Sequence, residues 1–279
     1  MSYVELHACS AFSFLRGASF PEQLAETAAE LEMPAMALLD RNGVYGAQRF
    51  SVAGREQNVR AIVGAELSME DGSVLPVLVQ NRAGYANLCG LLTQAHLRSP
   101  KGECAVQWSE LAEFSDGIVS LLGSARLQRA GFGILPKQSL KSSRRQNVVA
   151  STLQACTPQS CAERAQLLIN VFGRENVYVE IQRHFLRGED RINQQLCDLA
   201  EQHSLPVIAT NGVRHATPRG RQVLDVFTCI REHTHLDAAG KLLTRNAERH
   251  LKSDAEMRAL FPDRLDAIEN TARLAERLE

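Results

Sequence analysis

The sequence predicts an α/β fold. Short apolar runs recur along the chain, helical patterns separate them, and the first run ends in a cluster of chemistry-bearing side chains. That first run, Tyr3 to Cys9, alternates Val4, Leu6 and Ala8 with Glu5 and His7. Alternation sets His7 and Cys9 on one face at the C-terminal end of a first strand, the end at which an α/β barrel places its chemistry. A helix then opens at Ser19-Phe20-Pro21-Glu22, a capping-box spacing with proline in the first turn, and carries Leu24, Ala25, Ala28 and Leu31 at helical intervals. Further strand patterns fall at 35–39, 61–67, 75–79, 118–122, 177–181 and 206–210. A helix over about 187–203 puts Ile192, Leu196, Leu199 and Ala200 on one face, and Glu189 and Asp190 suit its start. The alternation implies a parallel sheet. It does not separate a closed barrel from an open sheet.

Two regions break the rhythm. From Ile118 to Ala162 there is no acidic residue, while Arg126, Arg129, Lys137, Lys141, Arg144 and Arg145 are all basic. Gly131, Gly133 and Pro136 interrupt any helix there, so an exposed loop is expected, with DNA phosphates as the alternative use of its charge. Phe132 is the lone aromatic within that basic stretch, which favours the solvated loop. After about residue 217 the chain reads as helices, with Leu265, Ile268 and Ala272 at helical spacing.

Composition narrows the class. With 279 residues, 44% hydrophobic, 23% charged and a net charge of −1, the chain has no overall electrostatic commitment to nucleic acid or membrane. No apolar run approaches the roughly 18 residues of a membrane span, and the N-terminus lacks a signal-peptide layout, so a cytoplasmic protein is expected. Seven cysteines, scattered and never in a Cys-x-x-Cys pair, argue for reduced thiols rather than a disulfide framework or zinc ribbon.

Several motifs resemble one family in order and spacing. Leu6-His7-Ala8-Cys9-Ser10 followed by Phe12-Ser13-Phe14-Leu15-Arg16-Gly17-Ala18-Ser19 resembles the opening of the polymerase-and-histidinol-phosphatase (PHP) domain. Bacterial DNA polymerase III alpha subunits and their error-prone relatives carry that domain, and the wording here is nearer the error-prone branch. Asp40-Arg41-Asn42-Gly43, Val63-Gly64-Ala65-Glu66, Tyr85-Ala86-Asn87-Leu88, Leu97 to Glu103, Tyr178 to His184, Ala209 to Arg214 and Asn246 to Met257 all have counterparts there.

The resemblance implies a distorted (β/α)7 TIM-like barrel of the PHP type over 1–216, with a basic, irregular segment at about 124–160. It also implies a helical extension over 217–279 leading toward polymerase domains, which hold the polymerase carboxylates; the chain is therefore expected to be an N-terminal fragment without polymerase activity of its own. In metal-binding members a trinuclear site at the barrel mouth cleaves phosphate esters or trims a DNA 3′ end. Of that site His7 and Glu66 remain, and Cys9 stands where a second histidine is expected. Arg16 replaces an aspartate, Arg41 a histidine, Ser124 a cysteine, Gly212 an aspartate and Arg214 a histidine.

Three arginines oppose the binding of cations, so no cofactor is expected beyond zinc or manganese at low occupancy on His7, Cys9 and Glu66. The expected alternative for Glu66 is an ion pair with Arg16 or Arg41, since a buried carboxylate needs a partner. His184 and His215 lie near further strand ends, where satisfied polar side chains are the default over a weak mononuclear site. The implied role is a structural and interaction platform for DNA, other polymerase domains and accessory replication or mutagenesis proteins. A metal-dependent phosphoesterase or 3′–5′ exonuclease is the alternative.

Overall fold

A computed structural model describes residues 2–123 and 158–279. Seven strands form one sheet in chain order: β1 (Glu5–Ala8), β2 (Ala35–Arg41), β3 (Arg60–Ser68), β4 (Val74–Val79), β5 (Ile118–Gly123), β6 (Val177–Ile181) and β7 (Val207–Ala209). Each apolar run lands on a strand within two residues of its expected bounds. Helices α1 (Pro21–Glu30), α2 (Ala47–Glu56), α3 (Arg82–Arg98), α4 (Pro158–Phe172) and α5 (Glu189–His203) fall between strands. Beyond β7 come α6 (Gly220–Arg231), α7 (Leu236–Ala239), α8 (Asp254–Leu260) and α9 (Leu265–Glu276). No helix among the described residues is long and apolar enough to cross a membrane.

The sheet is not wholly parallel. β4 runs antiparallel to both β3 and β5, because only the turn Met69–Ser73 joins β3 to β4, too short for a crossover helix. Asp71-Gly72, with Gly72 at φ 76°, is the hairpin signal that the strand–helix reading passed over. Ser19 departs from its expected role as well. Its hydroxyl accepts from Ala216 N at 2.8 Å, and Gln23 Oε1 instead satisfies Phe20 N at 2.9 Å at the start of α1.

Two apolar layers follow from the curl of the sheet. Outside, Met36, Leu38, Ala65, Leu67, Val77 and Val179 pack against Leu24, Phe50, Leu88, Leu168 and Leu196 of the helices. Inside, Leu6, Ala37, Leu39, Ile62, Leu78, Val119, Leu121, Tyr178 and Ile208 form a second cluster that takes in Ala272, Leu274, Ala275 and Leu278. The seam between β7 and β1 is bridged at the isolated pair Ala8–Val213, and α9 seals the rest. Asn270 Nδ2 donates to Val207 O at 2.9 Å, Thr271 Oγ1 accepts from Val4 N at 3.2 Å, and Arg60 Nη2 donates to Ala275 O at 2.6 Å. The last helix thus packs into the barrel core.

β1 carries the one irregularity that matters for the mouth. Glu5 pairs with Met36 and Ala8 with Leu38, so three steps on β1 span two on β2, a bulge. Leu6 lies in the inner cluster, yet His7, its neighbour, also turns inward, where strict alternation would have sent it out.

Because α9 closes the seam, replacing its fully buried Ile268 should act on the whole barrel. Ile268→Ala is expected to lower the unfolding free energy by about 2–4 kcal/mol in one cooperative urea transition. A loss under about 1 kcal/mol, or a separate early transition, would show that α9 is an appendage.

Candidate functional site

The C-terminal ends of the parallel strands converge on a buried carboxylate. Glu66 is late in β3, on the inward side that carries Ile62, and its Cα register partner on β2 is Arg41. Glu66 Oε1 accepts from His7 Nε2 at 2.9 Å and from Arg214 Nη2 at 2.7 Å, and Arg41 Nε lies 2.9 Å from Oε2. Three cationic groups thus surround one carboxylate that has no solvent exposure. Burial pushes the Glu66 carboxyl up, but Arg214, Arg41 and His7 outweigh it and hold it well below the usual carboxylate range.

His7 joins this carboxylate to a second one. Its Nδ1 meets Glu180 Oε1 at 2.6 Å, on β6, and that oxygen also accepts from Thr210 Oγ1 at 2.5 Å and Gln182 Nε2 at 3.1 Å. Ionised carboxylates only accept, so both ring nitrogens of His7 donate, and the ring is an imidazolium. Burial lowers its pKa, but the charges and hydrogen bonds of Glu180 and Glu66 prevail and raise it to about 9.

Cys9 lies at the edge of the cluster, where Arg214 Nη1 donates to its sulfur at 3.0 Å. Burial, only partly offset by Arg214, raises the thiol's pKa, so the sulfur is protonated at neutral pH. Asp40, one residue before Arg41, points the other way and ties down the loop after β1. It accepts from Ser10 N at 2.9 Å, Ser13 Oγ at 2.8 Å and Gly46 N at 3.0 Å.

These side chains do not fit a metal cluster. An imidazolium has no lone pair to give, the Cys9 sulfur is a neutral thiol, and each oxygen of Glu66 faces a guanidinium at close range. No group of three or more His, Cys, Asp or Glu among the described residues has a metal-binding arrangement. Glu180 Oε2 is buried without a hydrogen-bond partner among the described residues, but it packs against Gly123, where an added Cβ would lie 2.4 Å away. One such oxygen is not a cage.

The expected site positions within the described residues reach this end of the barrel, and of the two arginines expected to pair with Glu66 it is Arg41 that does so, joined by Arg214. Glu66 pairs with Arg41 and Arg214, whereas Arg16 makes no ion pair among the described residues. Gly212, at φ 55°, frees space that a side chain would fill: a Cβ there would sit 2.7 Å from Arg249 Nη1 and from both polar atoms of the Gln182 amide. Arg249 donates to Gly212 O at 3.1 Å from that space, so a guanidinium sits beside the position where the resemblance implies a carboxylate.

Ser124, Arg126, Arg129, Lys137, Lys141, Arg144 and Arg145 lie outside the described residues. His184 and His215 do not join the site. His184 is held by Glu189 Oε1 at 2.8 Å and Asn211 O at 2.9 Å, and His215 by Thr217 O at 2.8 Å.

Sequence reasoning missed Glu180 and Arg249 as members. Glu180 had a signal, a lone charge inside the otherwise apolar run Val177-Tyr178-Val179-Glu180-Ile181. Arg249 had none, since its loop is brought over the mouth by bonds from Asn211 Nδ2 to Glu248 O and His250 O, each 2.6 Å.

If Glu66 depends on its cations, removing either arginine strands buried charge. Arg41→Ala and Arg214→Ala are each expected to cost about 2–4 kcal/mol in denaturant unfolding; unchanged stability in both would refute the network. His7 gives a pH signature. Its folded pKa of about 9 exceeds the ordinary 6.5, so its contribution is complete below pH 6.5 and is lost as pH rises through 9. The Tm gap between the wild type and His7→Gln should therefore shrink over that window, and a gap that widens would contradict the assignment.

The PHP domain family model matches residues 5–184. An error-prone DNA polymerase of Mycolicibacterium paratuberculosis is 35% identical over 98% of this chain and 24% of its own length. One from Symbiobacterium thermophilum is 34% identical over 99% of this chain and 25% of its own. The chain thus spans about a quarter of the length of these curated relatives. Among solved structures, an amidohydrolase from Chromobacterium violaceum aligns over 76% of this chain and 88% of its own, with 12% identity and a TM-score of 0.46. A family model that covers most of the chain, on a curled seven-stranded sheet with polar side chains gathered at the strand ends, decides the assignment: this chain belongs to the PHP domain family.

Proposed function

We propose that this chain serves as the PHP barrel of an error-prone DNA polymerase in the cytoplasm. It acts there as a rigid platform for neighbouring polymerase domains, DNA and accessory proteins, without metal chemistry at its mouth. The similarity to error-prone polymerases along almost the whole chain supports the polymerase context. The observation that carries the metal-free part is the Glu66 cluster. At positions where the resemblance implies metal ligands, an imidazolium and two guanidiniums neutralise the carboxylate from within. Such a mouth holds its shape without a divalent ion, which suits a part that must stay rigid while other domains move against it.

Hydrolysis of a phosphate ester by the family chemistry needs a metal-activated water, and the mouth offers no substitute base among the described residues. Cys9 is a buried thiol, His7 has no basic nitrogen, and both carboxylates lie below their ordinary range. The test is elemental mass spectrometry on protein purified without chelator, beside a DNA 3′-end trimming assay. Zinc, manganese and iron well below one equivalent, with no trimming, are expected. A full equivalent that disappears in His7→Ala, with trimming abolished by EDTA, would overturn the proposal in favour of a metal-dependent exonuclease.

A further inference from the structure

Helix α6 turns its apolar side away from the barrel. At about 100° per residue, Val223, Val226, Phe227 and Ile230 fall within one arc of about 100°. Val223, Val226 and Ile230 are 43%, 44% and 53% exposed, and Phe227 is half-buried. The exposed Leu236 follows at the start of α7, which packs against α6.

The opposite side of α6 is polar, and it faces the protein. Arg221 Nη2 donates to Thr244 O at 2.9 Å, and Thr244 Oγ1 donates to Asp225 Oδ1 at 3.4 Å. Thr228 is buried, together with Leu224 and Cys229. At the C-terminal end Arg231 Nη1 donates to Leu15 O at 2.8 Å. These bonds fix the rotation of the helix, so the apolar stripe cannot roll inward without breaking them. A contiguous apolar stripe held in solvent marks a contact surface.

Charge around the stripe is divided between its ends. Arg221 pairs with Asp225 at 3.4 Å and Arg231 with Glu232 at 2.9 Å. Arg219, just before α6, and Asp237, in α7, are exposed and make no ion pair among the described residues; Lys241 follows Asp237 by four positions.

We propose that two copies of this chain associate through α6, antiparallel across a two-fold axis between Val226 and Phe227. In that arrangement Val223 of one copy meets Ile230 of the second copy, and Val226 meets Phe227, so each apolar position of the stripe faces an apolar one. Arg219 comes to the C-terminal end of the other α6, where the helix dipole is negative and Asp237 lies next in the chain. A second copy therefore matches the stripe in both apolar pattern and charge. Three turns of helix make a small contact, so a dissociation constant on the order of 10 µM is expected.

Sedimentation velocity of the chain from about 1 to about 200 µM provides the test. The mean mass is expected to rise from 30.8 kDa toward twice that value. Val226→Arg and Ile230→Glu alter exposed positions, and each should keep the wild-type Tm and remain monomeric throughout. Arg219→Asp and Asp237→Arg should each raise the dissociation constant about threefold to tenfold, and the double variant should return it to within about twofold of the wild type.

A wild type that stays monomeric over the whole range overturns the contact and leaves the stripe to another occupant, such as a further domain of a longer polymerase. A dimer that both Val226→Arg and Ile230→Glu leave intact overturns it as well, because the copies then meet elsewhere. Charge variants whose effects the double variant does not cancel overturn the antiparallel arrangement.

Discussion

Burying Glu66 at the mouth is the constraint on which the local architecture turns. A lone carboxylate at that depth would be protonated or would unfold its surroundings, so its charge must be matched by groups held at contact distance. Arg41 comes from the adjacent strand, Arg214 from the segment after β7, and His7 from the bulge in β1. The ion cluster thus connects β1, β2, β3 and the β7 exit across the seam. The single bridge at Ala8–Val213 could not hold that seam alone.

The bulge in β1 shows how a small backbone feature decides chemistry. It lets Leu6 fill the inner core while His7 turns to the same side and bridges Glu66 and Glu180. A regular strand would have put one of the two outside. Fixed between two acceptors, His7 has its pKa raised to about 9 and serves as a counter-ion to both carboxylates.

Gly212 leaves room that Arg249 takes up, and Arg16 is anchored by backbone bonds of its loop. The strand-end concavity of the barrel is lined here by guanidiniums set beside carboxylates. Trp108, by contrast, serves packing: the Arg164 guanidinium lies 3.7 Å over its ring and also pairs with Asp71.

The strands were legible because each is a short apolar run bounded by breakers, and α5 because its apolar face repeats at helical spacing. The membership of His7, Cys9, Glu66, Arg41 and Arg214 at one mouth was legible too, through motif order. The direction of β4, the release of Ser19 from capping, the role of α9 in the core, and the choice of Arg214 over Arg16 as a partner of Glu66 were not. Those depend on which segments meet after the sheet curls. Sequence periodicity reports which side of an element is apolar; it carries no information about what distant element covers that side. So the sequence by itself determined the kinds of groups that gather at the mouth. Only the tertiary structure decided how they pair, because pairing of buried charges is set by distances between elements far apart along the chain, as for Arg214 and Glu66 with a separation of 148.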